Sequence, residues 1–170
     1  MKKLLPGLLI LVACFFMVNL FAQDFTYVGA AKCKMCHKSE KQGQQYPLWE
    51  ARKHSKSFTS LSTEAAKALA ADAPDNPECL KCHAPLATKA PELKAEGVSC
   101  EVCHGPGSEY KKMNIMKDHA ESVKNGLIEY GSPDAIKAQC ATCHENNPHD
   151  KPFDFATAWE KVKHPRPEGE

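Results

Sequence analysis

Four copies of one short unit carry the chemistry of this chain: Cys33-x-x-Cys36-His37, Cys79-x-x-Cys82-His83, Cys100-x-x-Cys103-His104 and Cys140-x-x-Cys143-His144. In such a unit two thiols reach the vinyl groups of one porphyrin, and the imidazole directly after them lies against its face. The chemistry this spacing serves is covalent attachment of haem c, with the histidine as proximal iron ligand. Zinc is the competing reading, because Cys79-x2-Cys82 and Cys100-x2-Cys103, 17 residues apart, have the form of a zinc ribbon. A ribbon does not need the histidine that follows the second cysteine in all four units. The units also take eight of the nine cysteines. Four covalently bound haems c are therefore expected.

The ends and composition of the chain agree with that chemistry. Lys2 and Lys3 precede an apolar run that ends at Leu20-Phe21-Ala22, the layout of a secretory signal. The expected division is a signal peptide over residues 1–22, cleaved or kept as an N-terminal anchor, and a tetrahaem cytochrome c domain over 23–170. Leu11-Val12-Ala13-Cys14 has the letters of a lipoprotein box, but the apolar run continues past Cys14. Residues 23–170 contain no second apolar segment, so no membrane span is expected in the mature chain. Export would place the protein in the periplasm or outside the cell. Leu, Ile, Val and Phe number only 19 in residues 23–170, fewer than a self-supporting core of that length needs. The porphyrins would supply the missing apolar core, and the apoprotein should be largely unfolded. Charge is nearly balanced, and no basic patch is interleaved with stacking aromatics, which excludes nucleic acid as a partner.

The elements that must position these units read as short helices and long loops, without alternating β-branched runs. Tyr46 to Leu61 forms the first helical pattern, with Ala51, His54, Phe58 and Leu61 on one stripe. Ser62-Thr63-Glu64 opens a second, alanine-rich helix that stops near Pro74. Pro91 to Glu96 predicts one or two turns closed by Gly97. Glu109 to Leu127 predicts a longer helix with Met113, Met116, Ala120, Val123 and Leu127 on its apolar face. Ser132-Pro133-Asp134 starts the helix that delivers the fourth unit. Asn146 to Pro152 reads as a loop, and Phe155 to Lys163 as a last helix before Pro165. The fold class is mainly α with long loops, a small multihaem cytochrome c whose four haems form the core.

Four histidines remain outside the units: His54, His119, His149 and His164. Their number equals that of the distal iron positions. His54 and His119 lie on the apolar stripes of their helices, which favours them as distal ligands. His164 follows Trp159 and Val162 but precedes Pro165, so helical spacing cannot aim it. His149 stands among polar neighbours and reads first as a loop residue. Met35, Met113 and Met116 are alternative axial ligands; Met113 and Met116 read rather as gap-fillers against a porphyrin edge.

The order of units and spare histidines resembles the tetrahaem cytochrome c-554 family, from about Lys32 to His164. The shared features are a Trp-containing helix with a histidine after the first unit (Trp49, His54) and GVSCEVCHGPG at the third. A Lys-Asp-His follows (His119), then an aromatic-rich segment ending in His (Phe153 to His164). The resemblance implies that His119 serves the haem of His37, His54 that of His104, and His164 that of His144. It also implies a five-coordinate haem at His83, facing Pro152-Phe153. In ammonia-oxidising bacteria that family accepts electrons from hydroxylamine oxidoreductase. This chain differs by being shorter after its last histidine and by having His149 just before Pro152.

Three functions are compatible with these residues. The first is a relay of electrons between redox partner proteins, for which the units supply attachment and the protein supplies axial ligands and electrostatics. The second is reduction of a small nitrogen oxide, such as nitric oxide, which needs an open iron position at His83. The third is a subunit of an extracellular haem filament, with His149 or His164 donated to a neighbouring chain.

Overall fold

The computed structural model describes residues 24–145, 147, 149 and 152–165. The expected signal peptide over 1–22 lies outside them. Among the described residues there is no β-strand, and no helix is long and apolar enough to cross a membrane. The described residues form nine α-helices, in order: α1 Ala30–His37, α2 Gln45–Ala51, α3 Glu64–Leu69, α4 Pro77–His83, α5 Cys100–His104, α6 Met113–Met116, α7 His119–Lys124, α8 Pro133–His144 and α9 Phe155–Val162. Short 3-10 turns lie at Glu40–Gln42, His54–Lys56, Thr59–Ser62 and Pro91–Glu96.

Each Cys-x-x-Cys-His unit forms or ends a helix: α1, α4, α5 and α8 all finish on the histidine of a unit. Helical winding brings the two cysteines of a unit, three apart, to one face. The starts follow local chemistry where the sequence supplies a cap. Asn76 Oδ1 accepts the Glu78 N–H at 2.9 Å, with Pro77 in the first turn of α4. Ser132 Oγ accepts Ala135 N–H at 3.2 Å, with Pro133 opening α8. Thr63 caps α3, and Asp154 caps α9 by accepting Thr157 N–H at 2.9 Å.

Two expected long helices are interrupted, and both breaks have local causes. In place of Tyr46 to Leu61, α2 stops at Ala51 and Arg52 turns extended (ψ 172°). The Ser55 hydroxyl donates to Glu50 O at 3.0 Å and Arg52 O at 2.9 Å, taking carbonyls that a continuing helix would use. In place of Glu109 to Leu127, α6 and α7 are separated by Asp118 in extended conformation. Its carboxylate accepts Glu121 N–H at 3.0 Å, so it begins a new helix rather than continuing the old one. Met113 consequently stands 64% exposed, and Ala120 is exposed, so the expected apolar face does not form a core.

Buried apolar side chains among the described residues are Ala30, Leu61, Ala73, Ala84, Leu86, Ala90 and Tyr110. Four of these seven are alanines, which bury little area, so the polypeptide alone has scant hydrophobic stabilisation. The shortage read from composition is thus a property of the fold. The ion pairs do not compensate, since most are exposed partners three residues apart, such as Lys67–Glu64 and Lys124–Glu121.

Candidate functional site

The four units are brought together in an order different from the sequence. The first unit is joined to the third: α1 packs against α5, and the thiols of Cys33 and Cys100 lie close enough to perturb each other. Cys103 adjoins Cys140 and Cys143, and burial, with those two thiols, pushes its own thiol up to about 11. Tyr130 donates its hydroxyl hydrogen to Cys103 O at 2.9 Å, fixing the approach to α8. Cys82 and Cys143 join the second unit to the fourth, with α4 packed on α8; burial and then Cys143 raise the Cys82 thiol to about 11. Neighbouring units therefore run first, third, fourth, second. Cys79, Cys82, Cys100 and Cys103 are not gathered as a zinc ribbon would gather them, since Cys100 faces Cys33 and Cys82 faces Cys143. Among the described residues no cluster of three or more His, Cys, Asp or Glu is placed to hold a metal ion by itself.

The histidines outside the units sort into three facing pairs and one exception. His54 faces His144 with ring centroids 6.1 Å apart, and His164 faces His104 at 5.9 Å. His149 faces His83 at 5.8 Å, with the planes at 78°. Two imidazoles bound on opposite sides of one iron, at about 2 Å per bond, put their ring centres about 6 Å apart. All three pairs fit that separation. This pairing differs from the one the family resemblance implies: His54 and His164 exchange partners, and His149 stands where an open face was expected. Phe153 stacks on His144 at 4.7 Å and 14°, rather than standing over His83.

His119 is the exception. It begins α7, is exposed, and its Nε2 lies 2.9 Å from Glu129 Oε1 instead of on an apolar helix face.

Hydrogen bonds fix which nitrogen each proximal ring can offer. His37 Nδ1 lies 3.3 Å from Gln45 Oε1, and His83 Nδ1 lies 2.9 Å from Ser57 O, which leaves Nε2 of both rings free to bind metal. Burial pushes His104 down to about 4, helped by His164 and His37, so this imidazole is neutral, the form that binds metal. Burial lowers His54 as well, and His144 and Arg52 act in the same direction. His144 and His164 are also lowered by burial, but both rings keep an edge open to solvent. For these two, the pairing distance carries more weight.

Several positioning residues give no signal in sequence. Ser57 Oγ donates to His54 O and to His83 O, both at 2.8 Å, and accepts Val98 N–H at 3.0 Å. One hydroxyl thus ties a spare histidine, the second unit and the approach to the third. Trp49 Nε1 donates to Val98 O at 2.9 Å, which gives this half-buried indole a polar partner. Arg52 donates to the carbonyls of Val162 and Lys163, and Gln45 Nε2 to Pro165 O at 2.9 Å, clamping the segment that carries His164. Only Gly97, closing its 3-10 turn at φ 66°, hinted at the Ser57 hub from sequence. A Cβ there would meet Ser57 Oγ at 2.4 Å and His54 O at 2.8 Å.

A family model described as cytochrome c554 and c-prime matches residues 32–105, which hold the first three units. Cytochrome c-554 of Nitrosomonas europaea is 25% identical over 146 residues, covering 74% of this chain and 60% of that protein. Across its first three units the chain is similar to the cytochrome c554 family. No solved structure matches it. The likeness is to c-type cytochromes. The chain spans about three-fifths of that relative's length, so the relative's own activity does not come with the likeness.

Proposed function

We propose that this chain is a c554-family cytochrome that binds four haems c and relays single electrons between two partner proteins in the periplasm or outside the cell. The iron of each haem supplies the one-electron change. The chain's own residues supply attachment, axial imidazoles and order. The observation that carries the reading is the set of three imidazole pairs at 5.8–6.1 Å, each joining a unit histidine to a spare one. His54, His149 and His164 then serve as distal ligands opposite His144, His83 and His104. His119 is left for the iron at His37. Because Glu129 holds its Nε2, it would ligate through Nδ1, with Nε2–H donating to the carboxylate. The adjacency of units makes the first and second the two ends of the relay.

His149 bears on the choice between carrier and reductase. An imidazole opposite His83 closes the position that nitric oxide reduction would need, which supports the carrier reading. The test is mass spectrometry of the mature protein together with its ferric spectrum. Four haem additions and a low-spin spectrum are expected. His119→Ala should turn the His37 site high-spin, while Glu129→Ala should weaken that ligation without abolishing it. A mass with free thiols, or a large native high-spin fraction, would overturn the proposal.

A further inference from the structure

Glu101 lies inside the third unit, between its two cysteines, yet it is turned away from solvent and only 1% exposed. Its partners are backbone N–H groups rather than a cation. Oε2 accepts from Gly29 at 2.7 Å and Val28 at 3.0 Å, and Oε1 accepts from Val28 at 3.1 Å and Gly107 at 2.6 Å. Beside it, both oxygens of Glu96 accept the Ala30 N–H at 3.0 Å. The start of α1 has no side-chain cap of its own, so two carboxylates from 66 to 73 residues away do that work.

The backbone around the carboxylates is shaped to admit them. Gly29 stands at φ 84°, and a Cβ on it would meet Glu96 Oε1 at 2.8 Å. A Cβ on Gly107 would meet Glu101 Oε1 at 3.0 Å. Thr26 and Ser108 exchange two further bonds at 3.0 and 3.1 Å, so residues 26–30 dock along the third unit over their whole length. The dock brings Cys33 against Cys100. A buried carboxylate without a cation is costly, and a neutral side chain would dock a helix start at less expense.

We propose that Glu101 is a positioning residue for the first and third units, and that its charge lowers the reduction potentials of the haems they hold. This rests on the reading that all four units carry haem. The peptide dipoles stabilise the carboxylate but leave its net charge in place. It sits between two attachment cysteines of one unit, beside a cysteine of the other. A fixed negative charge there favours the ferric over the ferrous state.

Spectroelectrochemical titration of holoprotein Glu101→Gln tests this, with Glu101→Asp beside it and Ser108→Ala, which removes the acceptor of the Thr26 N–H, as a loosened dock that keeps the charge. Glu101→Gln is expected to move two of the four transitions upward and leave two in place. The Asp variant should keep native potentials even where its Tm falls, and Ser108→Ala should lose Tm without moving any potential. Should the Gln variant fail to fold, Glu101→Asn, the neutral counterpart of the Asp variant, takes its place with the same expected shift. A shift in Glu101→Asp as large as in the neutral variant, or in Ser108→Ala, overturns the assignment to charge. Unmoved potentials in a four-haem Glu101→Gln protein overturn this inference alone, whereas a mass short of four haems overturns the reading beneath it.

Discussion

His149 and His83 face each other edge to face, their ring centroids 5.8 Å apart, although 65 residues lie between them in the chain. His149 Nδ1 and Nε2 belong to a loop residue whose backbone N–H is held by Asn147 Oδ1 at 3.0 Å. That bond fixes the backbone from which the His149 side chain departs. His149→Ala is therefore expected to convert about one haem in four from low to high spin and to open it to carbon monoxide after reduction. An unchanged spectrum would mean that the imidazole is not a ligand.

The Ser57 hub makes a stability prediction with a built-in control. Gly97→Ala adds a Cβ against Ser57 Oγ and His54 O at a positive φ, and is expected to cost more than about 1–2 kcal/mol. Gly131→Ala meets nothing within 4 Å and should be neutral within about 0.5 kcal/mol. Ser57→Ala removes the hydroxyl's bonds to His54 O and His83 O and one of the two acceptors of the Val98 N–H, and should cost about 1–3 kcal/mol. Denaturation of the three holoproteins, compared at one pH, settles the ranking.

Acid should destabilise the protein. His54, His104, His144 and His164 are all held below the ordinary imidazole value, His104 down to about 4. The unfolded chain then binds more protons than the folded one below about pH 6.5, so stability rises with pH through that window. It is complete above about pH 6.5 and is lost as pH falls towards about 4. A denaturant midpoint lower at pH 5 than at pH 7 is the expected result; a flat profile between them would remove this account.

Removing the haem should remove the fold. With alanines making up most of the buried apolar set, a chain expressed without haem attachment is expected to show no cooperative thermal transition and little helical circular dichroism. A sharp transition in that apoprotein would show that the polypeptide supports itself.

The parts of this molecule that sequence made legible are those written in local chemistry. The four units, the Thr63 and Ser132 caps and the turn closed by Gly97 depend on neighbours a few residues away. The long helices over 46–61 and 109–127 failed because Ser55 and Asp118 redirect backbone groups, a competition that apolar spacing does not register. His119 sat on a convincing stripe and is exposed, whereas His149 had no stripe and faces His83. Periodicity describes the face of a helix, and here His119 only begins one while His149 lies in a loop. Ser57, Arg52 and Glu101 were silent because their partners are backbone groups dozens of residues away.

The adjacency of units, first to third to fourth to second, also sets a timetable for the chain's birth. Gly29 must wait for Glu101, 72 residues later, and Cys82 for Cys143, before either end of the cluster can close. A chain emerging from its N-terminus therefore holds its first two units open until the third and fourth arrive. Each thiol pair would stay accessible during that interval, so haem attached as proposed would go on before long-range closure.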